Sequence, residues 1–560
     1  MSCAPISGKM ATPMTFLRWL FPPGEKTHAI SRVLFLRGLG VIFLIAILSW
    51  WVQIDELVGS RGLTPMADYL DQVGKILDQQ ERGRFTTLPT LFWISSSDGF
   101  IHLACLTGTM LAVMLVAGFA PGPCLLGLWA IYLSLLTTGG AFMSFQWDIL
   151  LVEAGFLAIW LAPWRRWQIP ISRADAPPLG WGEKAMLWLS WFVIAKLMFQ
   201  SGWVKLAWAS PENPEWWPDH TAMTFHYFTQ PIPNPLAWWA HQLPTWFQKF
   251  SLVPMYAVEL GFPFLVFLGA RLRLIAALGF TGLMLAIAAT GNYTYFNWLT
   301  IVLCLPLVSD RYYLRVAALV RKWWSKARKV DSTGSSPRPN PVNLSGISER
   351  QSWIGLGWRA PAILLLGFLN LHVCLGDWHE VSGRVANPAL PWTHLAVDLT
   401  PEWTDDLRST LSPFHLASGY GLFRTMTTER LEIVFEGSRD GVEWKEYGMR
   451  WKPGRLDEMP PLVAPHQPRL AWQMWFAALE PGYHPRGNSA GWMSAVVRGL
   501  LTGDDATLSF FDEDPFVVSP PRYVRGVLYR YEFTTPEERR ETGNWWKRDR
   551  VGLWLPPVGN

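Results

Sequence analysis

Residues 31–52 read SRVLFLRGLGVIFLIAILSWWV, a run in which nearly every residue is apolar. A helix needs about 20 mainly apolar residues to cross a bilayer, because the hydrocarbon core is roughly 30 Å thick and each residue rises about 1.5 Å. The run meets that length. It starts too far from the first residue and lacks the small-residue site of a cleaved signal peptide, so it predicts a retained transmembrane helix.

The same apolar pattern recurs as far as residue 375. Half of the 560 residues are hydrophobic and only 16% are charged, whereas soluble domains carry about 25% charged residues. This composition excludes a purely cytosolic enzyme and predicts a polytopic α-helical membrane protein with about nine spans. The predicted spans are 31–52, 101–119, 122–139, 145–163, 185–206, 250–269, 272–290, 293–309 and 354–375.

Clusters of lysine and arginine predict how these spans are oriented. Basic residues in short loops stay on the cytoplasmic side, and four clusters fall on one side when nine spans are counted. The chain would then begin in the cytoplasm and carry everything after residue 376 to the other side, in a periplasm or an ER lumen. A net charge of +4 is too small to indicate nucleic-acid binding. The clusters are Lys9, Arg18, Lys26 and Arg32; Arg165, Arg166 and Arg173; Arg271 and Arg273; and Arg321, Lys322, Lys326, Arg328 and Lys329.

These features divide the chain into five predicted parts. Segment 331–350 is rich in Ser, Pro, Gly and Asn, which makes it too polar to cross a membrane and too poor in apolar residues to pack. The parts are a cytoplasmic N-terminal segment at 1–30, a transmembrane helical bundle at 31–309, a basic and polar cytoplasmic linker at 310–353, the last transmembrane helix at 354–376 and a lumenal or periplasmic β-rich domain at 377–560.

The last part has an extended pattern in place of a helical one. Residues 431–447 (LEIVFEGSRDGVEWKEY) contain two alternating segments on either side of a GSRDG turn, which predicts a β-hairpin. Residues 523–531 (YVRGVLYRY) predict another strand, while 472–479 and 492–501 have a helical pattern. An extramembrane, mainly-β, sandwich-like domain with helical insertions fits this half best.

Ionisable residues inside spans are costly to bury, so each one is a candidate for function. We expect Glu153 about 12 Å from the outer end of its span and Lys196 at a similar level, where they could pair. Glu259 is expected near mid-depth and Asp148 closer to the outer surface. One interpretation is a structural ion pair that holds the bundle together, and the other is a catalytic or transport role.

Lys205 is expected near the outer interface, at the end of the fifth span. A lysine in this position usually extends its ammonium group between lipid headgroups. The alternative is that neighbouring tryptophans exclude water from the amine, so that its neutral form acts as a base. These tryptophans are Trp203, Trp208, Trp216 and Trp217.

The loop at 207–249 is the best candidate site, because it is dense in aromatic residues, prolines and histidines and has few charges. Such a composition predicts a re-entrant or interfacial cap on the outer leaflet. His220, His226 and His241 could ligate a metal, but they lack a tight i, i+4 pair and nearby thiolates. No metal site is therefore expected.

Signatures of soluble enzymes are missing from the sequence. There is no Walker loop, no Gly-x-Ser-x-Gly elbow and no His-Glu-x-x-His. The five cysteines include no Cys-x-x-Cys pair, so no zinc ribbon is indicated. Asp457, Glu458 and His466 could form an acid/base group, and turn or surface roles are the alternative.

Several long runs resemble the lipase maturation factor family. The resemblance covers nearly the whole chain apart from 331–350, and PHQPRL at 465–470 is highly specific. It implies a polytopic ER-membrane protein whose lumenal domain assists folding and assembly of secreted dimeric lipases. Since the sequence has no ER retention signal, a bacterial member in the inner membrane is equally compatible. The runs are Phe145 to Glu153, His226 to Trp238, Pro460 to Phe476, Pro520 to Arg525 and Trp545-Trp546.

The resemblance leads to a first hypothesis, a membrane-anchored maturation factor that acts as a chaperone. It needs no catalysis and no cofactor, and its partners would be secreted or exported lipase-type proteins and membrane lipids. Exposed aromatic side chains offer contact area with little loss of rotamer entropy, which suits transient binding of clients. The predicted client-binding residues are Trp216, Trp217, Tyr227, Trp238, Trp239, His466, Arg469, Trp472 and Trp475.

The membrane half is also distantly similar to the transmembrane part of vitamin K-dependent γ-carboxylases. In those enzymes a lysine at the end of a span deprotonates the quinol cofactor, and Lys205 followed by Trp208 and Trp216 is the nearest match here. The second hypothesis is therefore an intramembrane enzyme acting on a lipid-soluble cofactor or substrate. Lys205 would be the base, His226 the proton carrier and Glu153 the residue that orients the helices. A transporter would show inverted repeats, which the sequence lacks.

Overall fold

A computed structural model of the protein describes residues 28–164, 179–327, 359–384 and 402–559. Three features predicted from the sequence lie outside these residues. They are most of the N-terminal segment, the basic cluster at 165–173 and the polar linker at 331–350.

The first part of the described chain is a helical bundle. Its central helix is Ala29–Trp51, on which Phe35, Leu39 and Phe43 are completely buried. The helices in chain order are α1 (Ala29–Trp51), α2 (Ile54–Val58), α3 (Met66–Gln79), α4 (Arg84–Thr87), α5 (Asp98–Ala117), α6 (Pro121–Thr138), α7 (Gln146–Leu161), α8 (Trp181–Ala207), α9 (Ala222–Thr229), α10 (Pro235–His241), α11 (Thr245–Tyr256), α12 (Phe262–Leu265), α13 (Ala270–Thr290), α14 (Phe296–Cys304), α15 (Asp310–Ala327), α16 (Ala360–Arg384), α17 (Glu402–Leu411), α18 (Arg469–Ala477), α19 (Ala490–Thr502), α20 (Asp505–Leu508) and α21 (Pro536–Thr542).

Five of these helices are long and apolar enough to cross a membrane, judged by length and composition. They are α1, α5, α6, α8 and α13. Phe296–Leu307 and Ala360–Cys374 are shorter apolar helices. Each of the nine predicted spans overlaps helix among the described residues, which exclude 354–358 of the last span, but nine crossings remain a prediction.

The sixth predicted span is divided. Helix α11 forms its first part and α12 its last part, and a π-helical segment at Ala257–Gly261 joins them. Pro254 and Pro263 lack the amide hydrogen that a regular helix requires, which accounts for the interruption.

The C-terminal domain is built on an antiparallel sheet. Its strands are β1 (Arg430–Ser438), β2 (Lys445–Glu446), β3 (Gly448–Met449), β4 (Phe511–Glu513), β5 (Tyr523–Phe533) and β6 (Trp546–Gly559). Four of them form one sheet in the order β2-β1-β5-β6, and β3 pairs with β4 separately. The register of the central pair runs from Arg430 opposite Tyr531 to Ser438 opposite Tyr523.

The local predictions for this domain are confirmed. The hairpin of β1 and β2 overlaps the predicted range 431–447. Its turn is fixed by Asp440, whose Oδ1 accepts hydrogen bonds from the amides of Val442 (2.8 Å) and Glu443 (2.9 Å). Strand β5 and helices α18 and α19 lie where the sequence predicted them. A two-sheet sandwich is not confirmed, because α18 contacts β1 and α19 contacts β5. Helices thus cover the sheet where the prediction placed a second sheet.

The bundle and the C-terminal domain are joined closely by Asn292. Its Nδ2 donates to the carbonyl of Pro461 (2.8 Å), and its Oδ1 accepts from the amides of Val463 (2.9 Å) and Ala464 (3.0 Å). Its side chain is buried, so these bonds are protected from water.

The domain packs on the end of the bundle where α1 ends. Gln53, just beyond α1, donates through Nε2 to the carbonyl of Gln467 (2.7 Å). The beginning of α1 has other neighbours, since the amide of Ala29 donates to Asp310 (2.8 Å). The C-terminal domain therefore lies at the opposite end of α1 from Ala29.

Candidate functional site

A cavity of about 660 Å³ lies where the bundle meets the C-terminal domain. We call it the junction chamber and define it by Lys205, His226, Tyr293, Phe423 and Trp475, which line it. The first three belong to the bundle and the last two to the C-terminal half. Its volume is within the range of about 300–1,000 Å³ that is typical of small-molecule sites.

Lys205 is held by three acceptors at the wall of the chamber. Its Nζ donates to Oε1 (3.0 Å) and Oε2 (2.8 Å) of Glu259 and to the carbonyl of Ser201 (2.8 Å). The ring of Trp216 lies 5.3 Å from Nζ. The lysine and glutamate side chains are only 5% and 6% exposed. Because an ammonium group has three donors and all are used, this geometry favours a structural ion pair.

Two backbone features allow Lys205 and Glu259 to meet. Glu259 lies on the π-helical segment, a kind of turn that is frequent at functional sites. Gly202 faces it across the contact, where an added Cβ would lie 2.7 Å from the Cβ of Glu259 and 2.9 Å from Cδ2 of Leu260. No larger residue fits at position 202 without a shift of the facing segment.

His226 lies on the chamber wall beside Tyr293. Its Nε2 is 3.3 Å from the Tyr293 hydroxyl, and the ring of Phe423 packs edge-on against it at 5.2 Å. Burial lowers the pKa of His226 to about 4, and the charge of Lys205 adds to this effect. The imidazole is therefore neutral at physiological pH and can exchange a hydrogen bond with a ligand.

Glu153 belongs to a separate buried network. Its Oε1 accepts from Nζ of Lys196 (2.7 Å), so these two residues, which the sequence left as a possible pair, do meet. Its Oε2 accepts from the hydroxyl of Tyr420 (2.5 Å) and the amide of Ser418 (3.1 Å), while Lys196 also donates to Asn370 (2.6 Å). This network holds the segment that follows α17 against the bundle. Glu153 therefore positions that segment, and it does not line the chamber.

Arg469, a predicted client-binding residue, is completely buried. Its Nη1 and Nη2 donate to Asp148 Oδ2 (2.6 Å) and Oδ1 (2.9 Å), and Nη1 also donates to the carbonyl of Phe142 (2.9 Å). The hydroxyls of Tyr132 and Tyr295 donate to the same carboxylate. This bidentate pair joins α18 to α7. A direct contact with a client does not fit its position.

Comparison with known proteins covers both halves of the chain. Residues 30–315 match the lipase maturation factor transmembrane domain, and residues 416–556 match the lipase maturation factor C-terminal domain. The chain belongs to the lipase maturation factor family. Lipase maturation factor 2 of Xenopus laevis is 33% identical over 95% of this chain and 82% of its own length. The human protein of that name is 33% identical, over 94% and 82%. Human lipase maturation factor 1 is 30% identical, over 96% and 90%. No solved structure matches the chain.

Family membership and the five long apolar helices together support an integral membrane protein with a role as a maturation factor. The junction chamber lies between the two matched domains. Among the described residues, no three His, Cys, Asp or Glu side chains come together to hold a metal ion, so His220, His226 and His241 do not form such a site there.

Four more of the predicted client-binding residues are buried, which corrects the expectation of an exposed aromatic surface. They are Trp216, Tyr227, Trp238 and Trp472. The loop at 207–249 packs against the C-terminal domain, as the contact of Trp238 with Trp545 at 5.4 Å illustrates. Apolar loop residues can face lipid, a client or another domain, and only the fold distinguishes these cases.

The other four predicted residues retain exposed surface. Trp217 and Trp239 are 54% and 57% exposed. His466 and Trp475 are half-buried. Trp475 lines the chamber and donates through Nε1 to the carbonyl of Thr229 (2.8 Å), whereas His466 lies 3.0 Å from the hydroxyl of Ser49 through Nδ1.

The sequence alone did not reveal the pairs Lys205 with Glu259 and Asp148 with Arg469. The prolines at 254 and 263 were a usable signal for an irregular helix around Glu259. Arg469 gave no such signal, because its partner is 321 residues away in the chain.

Proposed function

We propose that this chain is a membrane-held chaperone that assists folding and assembly of exported lipase-type proteins. The observation that carries the proposal is that both domains match the lipase maturation factor family. The C-terminal domain is attached to the end of the bundle opposite Ala29. A domain held there can meet chains as they leave a translocation pore. In a eukaryote that side is the ER lumen, and in a bacterium it is the periplasm.

The rim of the junction chamber is the surface we assign to clients. Trp475, Phe476 and Leu479 line the chamber and are partly exposed, the last two at 44% and 46%. Exposed apolar groups at the edge of a cavity mark sites of protein or ligand contact. Trp217 and Trp239 add exposed aromatic surface on the neighbouring loop.

A matched pair of leucine variants tests this surface. The full chain is co-expressed with a secreted dimeric lipase in cells that lack their own maturation factor, and lipase activity is measured per amount of secreted lipase. Leu479→Asp should lower this ratio several-fold. Leu462→Asp is the control, because Leu462 is 73% exposed on the same domain and does not line the chamber. Equal effects of the two variants, or no effect of either, would refute the assignment.

The side of the membrane is tested separately. Val517 is 85% exposed on the C-terminal domain, so Val517→Cys should react with a membrane-impermeant maleimide from the lumenal or periplasmic side of sealed vesicles. Reaction from the cytoplasmic side alone would exclude any encounter with exported clients.

A second candidate function is a carboxylase-like intramembrane enzyme, favoured by the fact that Lys205, His226 and Glu259 line one cavity. The double variant Lys205→Met/Glu259→Gln distinguishes the two functions, because it removes both charges and strands neither. An enzyme that uses Lys205 as base would lose all activity. A chaperone would keep most of its effect on the lipase.

A further inference from the structure

The junction chamber extends from the depth of the predicted spans to the C-terminal domain. Met198 lies about 14 Å before the end of α8, and Met284 about 9 Å before the end of α13, taking about 1.5 Å per residue. Both line the chamber, and we call the part beside them its inner end. If α8 and α13 cross the membrane, this end lies at the level of lipid acyl chains.

The C-terminal half lines the other part of the chamber, its outer end, with polar side chains beside the apolar rim. Arg424 and Glu480 line it, together with Asn488 and Ser489. The guanidinium of Arg424 packs over the ring of Trp208 at 4.4 Å, and the carboxylate of Glu480 accepts from the hydroxyl of Ser489 (3.1 Å). Apolar side chains at the inner end and polar groups at the outer end match a molecule with an acyl chain and a polar headgroup.

The charges of the lining cancel. Lys205 and Glu259 neutralise each other at the wall, and the mouth adds one cation, Arg424, and one anion, Glu480. An anionic headgroup would meet Glu480 and a cationic one would meet Arg424. A headgroup with one phosphate and one ammonium can satisfy both residues.

We propose that the junction chamber binds one acyl chain of a zwitterionic phospholipid, with the headgroup between Arg424 and Glu480. Binding would place a membrane lipid in contact with both domains, through Met198 below and Phe423 and Trp475 above. The proposal is independent of the client, because a lipid can occupy the chamber whether or not a lipase is matured.

Photo-crosslinking of the full chain in nanodiscs tests it. The probe is phosphatidylcholine with a diazirine in one acyl chain, and labelled peptides are identified by mass spectrometry. We expect labels on the peptides with Phe423 and Trp475, in addition to lipid-facing peptides such as the one with Leu103, which is 54% exposed. Met198→Trp should reduce the chamber labels about tenfold by filling the inner end, while Leu103→Trp leaves them unchanged.

Labels confined to lipid-facing peptides would overturn the proposal, since they would show only lipid around the bundle. Stronger chamber labelling by a diazirine fatty acid or phosphatidylglycerol would overturn the assigned headgroup. If Met198→Trp impairs folding, Arg424→Glu provides the second variant, because Arg424 is exposed. It should weaken labelling by phosphatidylcholine several-fold, and the exposed Arg439→Glu, outside the chamber, should not. Unchanged labelling in Arg424→Glu would refute the headgroup position.

Discussion

Substitution of Arg469 by methionine should destabilise the whole protein, because it leaves Asp148 buried without a cation. Both side chains are 0% exposed, and the guanidinium makes two bonds to Asp148 and one to the carbonyl of Phe142. After the change, the hydroxyls of Tyr132 and Tyr295 would be the remaining side-chain donors to the carboxylate among the described residues. Removing one partner of a buried pair costs about 3–5 kcal/mol, which is roughly two to four powers of ten in the unfolding equilibrium.

Thermal unfolding of the detergent-solubilised chain measures this loss. A thiol-reactive fluorophore reports unfolding of the bundle, since Cys105, Cys124 and Cys304 are free and buried. The control is Arg450→Met, because the pair of Arg450 and Asp512 is 46% and 59% exposed. An exposed pair contributes at most about 1 kcal/mol to stability, so the melting temperature of Arg450→Met should differ little from that of the unchanged protein.

The double variant Arg469→Met/Asp148→Asn decides whether the reasoning is correct. It removes both charges, so it should be less destabilised than Arg469→Met alone. If the effects of the two single substitutions simply add, or if Arg469→Met melts like Arg450→Met, then the stranded charge is not the cause of the loss.

Three further predictions concern pH and close packing. Burial lowers the pKa of His466 from 6.5 to about 4. As the pH drops, the imidazole is protonated in the unfolded chain before it is protonated in the folded chain, so the melting temperature should fall between about pH 6.5 and 4. The fall should be less steep in His466→Gln. Burial lowers the pKa of Lys452 from 10.5 to about 8. As the pH rises, the amine loses its proton in the folded chain before it does so in the unfolded chain, so the stability of the fold should rise between pH 8 and 10.5. The rise should be smaller in Lys452→Met. Gly202→Ala should lower the free energy of unfolding by about 1–3 kcal/mol, because the added Cβ forces Glu259 away. The control is Gly261→Ala, whose added Cβ meets nothing within 4 Å, and it should be nearly neutral in the same melting assay.

Much of the bundle could be predicted from the sequence. Apolar runs of the right length determined where helices form, because a helix satisfies its own backbone hydrogen bonds and needs only an apolar environment. The hairpin at 431–447 and the strand at 523–531 followed from alternation and turn residues in the same way. The sandwich did not follow, since alternation shows that one face of β1 is covered but not that a helix covers it.

The candidate site was predictable only in part. Glu153 and Lys196 could be recognised as a possible pair, because both lie in regular helices and counting residues from the helix ends places them at a similar depth. Lys205 could not be matched with Glu259 by such counting, because the π-helical turn changes the direction of the glutamate. Trp238 was predicted as a client contact and proved to be a contact within the chain.

The sequence by itself determined the class of protein, its apolar helices, the strands of its C-terminal half and its family. These properties depend on residues close together in the chain, such as the run at 31–52. Only the tertiary structure decided that Arg469 meets Asp148, that Lys205 meets Glu259 and that a chamber forms where the two domains meet. Such contacts join residues far apart in the chain, and their geometry depends on how whole helices and sheets pack against one another.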